Sequence, residues 1–286
     1  KIKYWAWNFF DETLTRQNGF SEDLILNKIE NAVNKNLISS VPINTYLSSG
    51  IDSSIIAYFA KKKVKNLKSF TIGFEKPKKF QFEDESTIAR YISEYLKINN
   101  YLKKLNKNCI NKCLKLLTYA IENPRVGQSY PNYYAAKIAS KHSKVVLSGI
   151  GGDEIFGGYP WRYFISEKKI YFEEFIDKYF KNWQRILNFD ELKTLTGLDC
   201  EEEIREIFKD KFIKKSSKKL DQSDFINYSL EFEANTFLSG LLSIEDKISM
   251  SFSLETRVPF LDNDLVDYIQ KIPAKNLLMN INSEVN

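Results

Sequence analysis

Three short segments of strand length, set between stretches of helical periodicity, constrain this chain more than any other feature. Residues 43–47, 67–74 and 144–147 have the length and composition of strands. Before and between them, apolar residues recur at helical spacing. Leu24, Ile25, Ile29 and Val33 mark a helix over 21–37, and similar patterns cover 53–63, 83–96, 108–121 and 130–142. Residues 100–104 read as extended. Strands separated by helices cannot pair as hairpins, so the sheet is expected to be parallel, with helices on both faces. From Trp161 onward the strand signal disappears, and helical patterns fill 163–181, 190–195, 201–212 and 221–242. The expected class is α/β and Rossmann-like, followed by a helical second half.

Composition narrows the chemistry. Hydrophobic residues make up 43% of the 286, ample for a buried core. No apolar run approaches the roughly 18 residues that would cross a bilayer, so no membrane is expected. Three cysteines exclude a four-Cys zinc site, and a single histidine, His142, excludes HExxH. With so few cysteines the chain is no disulfide scaffold, which points to a reducing cytoplasm. An enzyme built from this chain works with carboxylates, Lys, Arg, backbone amides and a hard cation. The net charge of +5 suits an anionic substrate and is too modest to indicate nucleic acid.

Three segments carry chemistry. The first, Leu47-Ser48-Ser49-Gly50-Ile51-Asp52-Ser53-Ser54, joins a strand to a helix N-terminus, where free N–H groups and the helix dipole favour an anion. Ser48, Ser49 and Ser53 add hydroxyls, Gly50 permits close approach, and Asp52 can hold a cation. A plain capped turn is the alternative. The second runs from Leu147 to Tyr159 after the strand Lys144-Val145-Val146-Leu147. Five of the chain's 11 glycines fall in 149–158, which implies unusual backbone geometry or close contact. Asp153 offers a second carboxylate there. The third comprises Ile244-Glu245-Asp246-Lys247 and Glu255-Thr256-Arg257-Val258-Pro259-Phe260-Leu261-Asp262. Here charges sit among apolar residues, either as a structural ion-pair network or in contact with substrate.

Together these segments resemble the synthetase domain of the glutamine-dependent asparagine synthetases. That family carries a pyrophosphate loop SGGxDS, a motif LSGxGxDExFxGY and a later ExRxPFLD. Ser48–Ser53, Leu147–Tyr159 and Glu255–Asp262 match them in order. The first motif is shared by all ATP pyrophosphatases of this fold; the other two are specific to the asparagine synthetase group. The resemblance implies that Leu47, Ile72, Ser148 and Gly149 hold the nucleotide of ATP. Ser48, Ser49, Gly50, Asp52 and Ser53 would hold its pyrophosphate, and Asp52 and Asp153 would bind Mg²⁺. It implies an amidotransferase-type ligase. A carboxylate is adenylated with loss of pyrophosphate, and ammonia then displaces AMP. Aspartate is the expected acceptor. Ile150 and Gly151 would lie near the acceptor, and Asp246, Lys247, Glu255 and Arg257 are the candidate catalytic residues.

The sequence also departs from the family pattern. Ser49 replaces a glycine, which fits if that position does not need positive φ. Ile150 stands where an acidic residue is usual, which opens other acceptors: a sugar acid, a β-lactam precursor or a peptide. An RNA-modifying enzyme sharing the first motif, or a non-catalytic scaffold, are readings from other classes. Residues 1–20 are expected to be the tail of a glutaminase domain that supplies ammonia, and 21–286 a synthetase domain truncated before its lysine motif. The oligomeric state is left open, a homodimer included.

Overall fold

The computed structural model describes residues 4–14, 20–75, 85–123, 129–163, 166, 168–184, 187–212 and 215–277. In chain order the elements are α1 (Glu22–Asn36), β1 (Ile43–Tyr46), α2 (Ile51–Lys63), β2 (Lys68–Phe74), α3 (Glu85–Tyr95), β3 (Asn99–Leu105), α4 (Cys109–Ile121), α5 (Ser129–Ala139), β4 (Val145–Leu147) and α6 (Gly152–Phe156). There follow α7 (Phe172–Trp183), α8 (Phe189–Thr196), α9 (Glu201–Lys209), α10 (Gln222–Asn235), α11 (Phe237–Met250), β5 (Glu255–Arg257), α12 (Asn263–Ile269) and α13 (Ala274–Leu277). The chain divides into two compact units.

The first unit, residues 22–152 and 240–266, contains the sheet. Its five strands are all parallel, in the order β3-β2-β1-β4-β5. Side chains alternate between the two faces. Tyr46, Phe70 and Val146 face α4, α5 and α11, where Cys113, Leu117, Tyr133, Ala136, Ile244 and Ile248 close the core. Thr45, Leu147 and Arg257 are in register on the opposite face. The expected architecture of a parallel sheet with helices around it is present.

The fifth strand was not expected. It is three residues long, Glu-Thr-Arg, at the sheet edge, with no apolar alternation to announce it. The expected helix over 221–242 is two helices, α10 and α11, broken at Thr236. Of the expected helix over 83–96, residues 83 and 84 lie outside the described residues.

The second unit, residues 1–21, 153–239 and 267–286, has helices and an isolated antiparallel bridge between Ile170 and Leu220 where described, and residues 4–14 are not helical. Its core is aromatic: Phe175, Tyr179, Phe208, Phe212, Phe225 and Phe232 pack as one cluster. Two capping boxes start its helices, Asn188 with Glu191 for α8 and Asp221 with Asp224 for α10. The lead-in segment belongs to this unit: Phe9 is buried with Ile226 and Leu230, and Trp7 stacks on it. Among the described residues no helix is long and apolar enough to cross a membrane.

Candidate active site

Chain order reverses direction in the sheet between β1 and β4. From β1 the chain moves outward through β2 and β3; β4 and β5 then build the other side. In open parallel sheets, ligands bind at the carboxyl ends of the strands flanking such a switch point. The two loops that leave these ends are the Ser48–Ser54 turn after β1 and the glycine-rich loop after β4. Sequence and topology therefore select the same place.

The Ser48–Ser54 turn is set by its own hydrogen bonds. The Ser48 N–H donates to Ser53 Oγ at 3.0 Å, and the Gly50 N–H to Ser48 Oγ at 3.1 Å. The two hydroxyls lie 3.0 Å apart, and Ser53 Oγ donates to the Gly50 carbonyl at 3.1 Å. Gly50 is the N-cap of α2, and no side chain caps that helix. The N–H groups and dipole of such a helix start favour an anion. Ser49 does not have positive φ, so replacing a glycine there brings no strain. Leu47 is anchored to β2 through its N–H to the Phe70 carbonyl and its carbonyl to Thr71 Oγ1. Ile72 lies two residues farther along β2 than Phe70.

The glycines of the second loop have physical reasons. Gly151 has φ +102° and Gly157 φ +76°, a region costly for other residues. A methyl group on Gly149 would lie 3.0 Å from the Ser53 nitrogen, so this glycine lets the end of β4 approach the first turn of α2. A methyl on Gly152 would overlap the Asp52 carboxylate. In the helical unit, a methyl on Gly158 would overlap the Asp153 carboxylate. Each predicted metal carboxylate is thus seated against a glycine. The Ser148 N–H donates to the Arg257 carbonyl at 2.8 Å, so the unexpected strand β5 supports the start of this loop.

The remaining candidates are placed differently. Lys247 does not pair with Asp246, since adjacent residues on a helix do not face each other. Its ammonium donates to the Ile121 carbonyl at 3.0 Å and to Glu122 at 2.9 Å, closing the end of α4. Asp246 is exposed. Arg257 Nε donates to Glu255 at 2.6 Å, and its Nη1 donates to the carbonyls of Asn36 and Ile38 at 2.7 and 2.8 Å. Lys35 holds Asp262 and Asp264 at 2.9 and 2.5 Å. The charges of this segment form ion pairs in the structure. The His142 ring packs on Tyr101 at 4.1 Å and Phe70 at 5.7 Å between ring centroids, and burial lowers its pKa.

Sequence reasoning passed over Glu245 as a site residue. It is 5% exposed, accepting hydrogen bonds from Thr256 Oγ1 at 3.1 Å and Asn132 Nδ2 at 3.3 Å. Burial pushes its carboxyl up to about 7, against the pull of the Thr256, Asn132 and Tyr46 donors and with help from the Asp246 charge. Its signal was available: on a helix, Glu245 shares a face with Ile248 and adjoins Ile244, both buried.

Residues 24–283 match the family model described as asparagine synthase. This chain belongs to the asparagine synthase family. The chain is 30% identical to asparagine synthetase [glutamine-hydrolyzing] 1 of Bacillus subtilis (strain 168), over 88% of this chain and 44% of that protein. It is 27% identical to asparagine synthetase [glutamine-hydrolyzing] 3 of the same organism, over 93% and 45%. A solved structure described as a predicted subunit of tRNA methyltransferase from Methanocaldococcus jannaschii DSM covers 67% of this chain and is itself covered to 87%, at 16% identity and TM-score 0.27. The chain spans about half the length of these two asparagine synthetases.

The donors fit ATP and magnesium. An uncapped helix start, pre-set hydroxyls and a close glycine suit a polyphosphate. Among the described residues no group of three or more His, Cys, Asp or Glu can hold a metal by itself. Magnesium usually takes one or two carboxylates with water and phosphate oxygens, and Asp52 offers one carboxylate in the first turn of α2.

Proposed function

We propose that this chain carries the amide-forming half of an asparagine synthase: it adenylates a carboxylate and passes the acyl group to ammonia. The observation that carries this reading is the uncapped α2 N-terminus at the β1/β4 switch point, with the Gly149 backbone against it. In this reading Leu47, Ile72, Ser148 and Gly149 border the nucleotide. The first turn of α2, with Ser48, Ser49, Gly50 and Ser53, holds the β- and γ-phosphates. Asp52 is proposed for Mg²⁺ because Gly152 seats its carboxylate; Asp153 is a second proposed ligand on motif similarity. Bound magnesium would neutralise charge on the departing pyrophosphate.

The chemistry follows in two steps. An oxygen of the acceptor carboxylate attacks the α-phosphorus, and the bond to the β-phosphate oxygen breaks. The N–H groups of α2 meet the charge that gathers on the leaving pyrophosphate. Ammonia then attacks the acyl carbon, AMP leaves, and one proton is released. Ammonia would come from a glutaminase domain such as the family's glutamine-hydrolysing members carry. Ile150 and Gly151 are proposed next to the acceptor, with aspartate as that acceptor. Glu255 and Arg257 act by fixing β5 beneath the Ser148 loop, and Lys247 by fixing α4.

The test is formation of AMP and pyrophosphate by the full-length protein with Mg·ATP and ammonia, comparing aspartate with a panel of sugar acids and other carboxylates. Aspartate-dependent AMP formation supports asparagine synthesis. Silence with aspartate and turnover of another acid keeps the mechanism and moves the acceptor. Silence with every acid refutes the reading.

A further inference from the structure

One carboxyl in the sheet unit is buried, hydrogen-bonded at both oxygens, and absent from the chemistry above. Glu245 lies on α11 and reaches two other elements: Oε1 accepts from Thr256 on β5 and Oε2 from Asn132 in the first turn of α5. The Tyr46 hydroxyl at the end of β1 lies beside it, buried and without an aligned hydrogen-bond partner among the described residues. These elements lead directly into the site. Leu47 and the Ser48–Ser54 turn follow Tyr46; the Arg257 carbonyl, one residue after Thr256, holds Ser148. A buried group that pins three elements fixes their relative position, and ångström shifts in a site change rates steeply.

We infer that Glu245, on α11, is a positioning residue for the adenylation step, holding β5 and α5 in working register with α11. The inference rests on the amide-forming reading above. It depends on which charges face the carboxyl. From β1 there is Tyr46, and from β5 only Thr256, since Arg257 reaches α1 on the opposite face of the sheet. From α5 there is Asn132, and from α11 itself Asp246, which disfavours ionisation. Lys247 is turned to Glu122. No cation faces Glu245 among these groups, so ionisation leaves a buried anion held by neutral donors only. In the neutral state the carboxyl accepts from Asn132 and can donate to a Tyr46 or Thr256 oxygen, which satisfies every member.

The test is acid-dependent exchange of pyrophosphate into ATP, run from about pH 5.5 to about pH 8.5 so that the titration is bracketed. Ammonia is omitted, which keeps its own ionisation out of the profile. In the wild type kcat/KM should fall above about pH 7, approaching tenfold per pH unit as one proton is lost. E245Q keeps the shape and the hydrogen bonds without the charge. It should stay within about threefold of the wild type at the acid plateau and lose the inflection. E245A should lose about tenfold or more throughout. Melting temperatures identify a variant that fails to fold, and E245Q decides if E245A does. An E245Q profile that inflects like the wild type overturns the role of Glu245 while the wild type's activity upholds the function. A wild type silent with every acid overturns the reading of function and this inference with it.

Discussion

Replacing Gly152 by Ala separates seating of the Asp52 carboxylate from stability. The added methyl would overlap Asp52 Cγ and both carboxylate oxygens, so the Asp52 side chain must leave its rotamer. A side chain forced off its rotamer costs about 0.5–1.5 kcal/mol. Gly152 opens α6 and its φ is not positive, so Ala suits the backbone there and recovers up to about 1 kcal/mol of helix propensity. The two effects nearly cancel, and the melting temperature should move by no more than about 3 °C. The site is affected far more. A displacement of about 1 Å in a reacting or binding group costs about a hundredfold in rate, or about 2.7 kcal/mol. G152A should therefore release pyrophosphate from Mg·ATP about a hundredfold more slowly while folding normally. D52N should show a similar loss, and the double variant should be little worse than either, because both remove one feature. Wild-type rates in G152A, or losses that add in the double variant, would refute the seating argument.

Other consequences follow from the same geometry. G158A should be harsher than G152A, since its methyl would also sit 2.9 Å from the Asp153 Cα, where backbone must give way; a loss of about 2 kcal/mol in stability, read by denaturant titration, is expected. R257A removes two charged hydrogen bonds to the carbonyls of Asn36 and Ile38 and should lower stability by about 2 kcal/mol, with ATP affinity by calorimetry changed less than threefold, about 0.7 kcal/mol. Glu245 makes stability depend on pH. Its carboxyl ionises near 4.5 when unfolded and about 7 when folded, so the folded state binds the extra proton between those values. That contribution, about 3 kcal/mol, is full below pH 4.5 and is lost as pH rises through 7. Melting curves of E245Q should lack that decline; an identical decline in E245Q would assign it to another group.

The sheet was legible because β1, β2 and β4 are short strand-like segments, rich in β-branched and aromatic residues, separated by helices long enough to cross over. β5 was not, because its pairing with β4 depends on position and not on composition. Glu255-Thr256-Arg257 becomes a strand only because β4 has an open edge beside it. The Ser48–Ser54 turn was legible from its residues as the start of a helix, where hydroxyls and a glycine serve either as a plain cap or as an anion site. The charges around Arg257 were legible as a cluster but not by partner. Arg257 reaches carbonyls more than 200 residues away in sequence, and no local pattern announces that. Glu245 was legible only as one charge of its segment, because its partners Thr256 and Asn132 lie on other elements that no local pattern announces.

Glycine clustering is often read as flexibility, and here the contacts argue for a different use. Gly151 and Gly157 take backbone conformations that other residues avoid. Gly149, Gly152 and Gly158 have ordinary φ, so their backbones would tolerate alanine; what excludes a side chain is the Ser53 nitrogen, the Asp52 carboxylate and the Asp153 carboxylate, respectively. Three of the five glycines are thus fixed by the volume of groups proposed for phosphate and magnesium. A flexible loop would lose little with Ala at these positions and would gain rigidity. A seated carboxylate would lose its place at once. Alanine at Gly152 therefore separates the two readings in one measurement: normal melting with lost turnover supports seating, and normal melting with normal turnover supports a loop that merely bends.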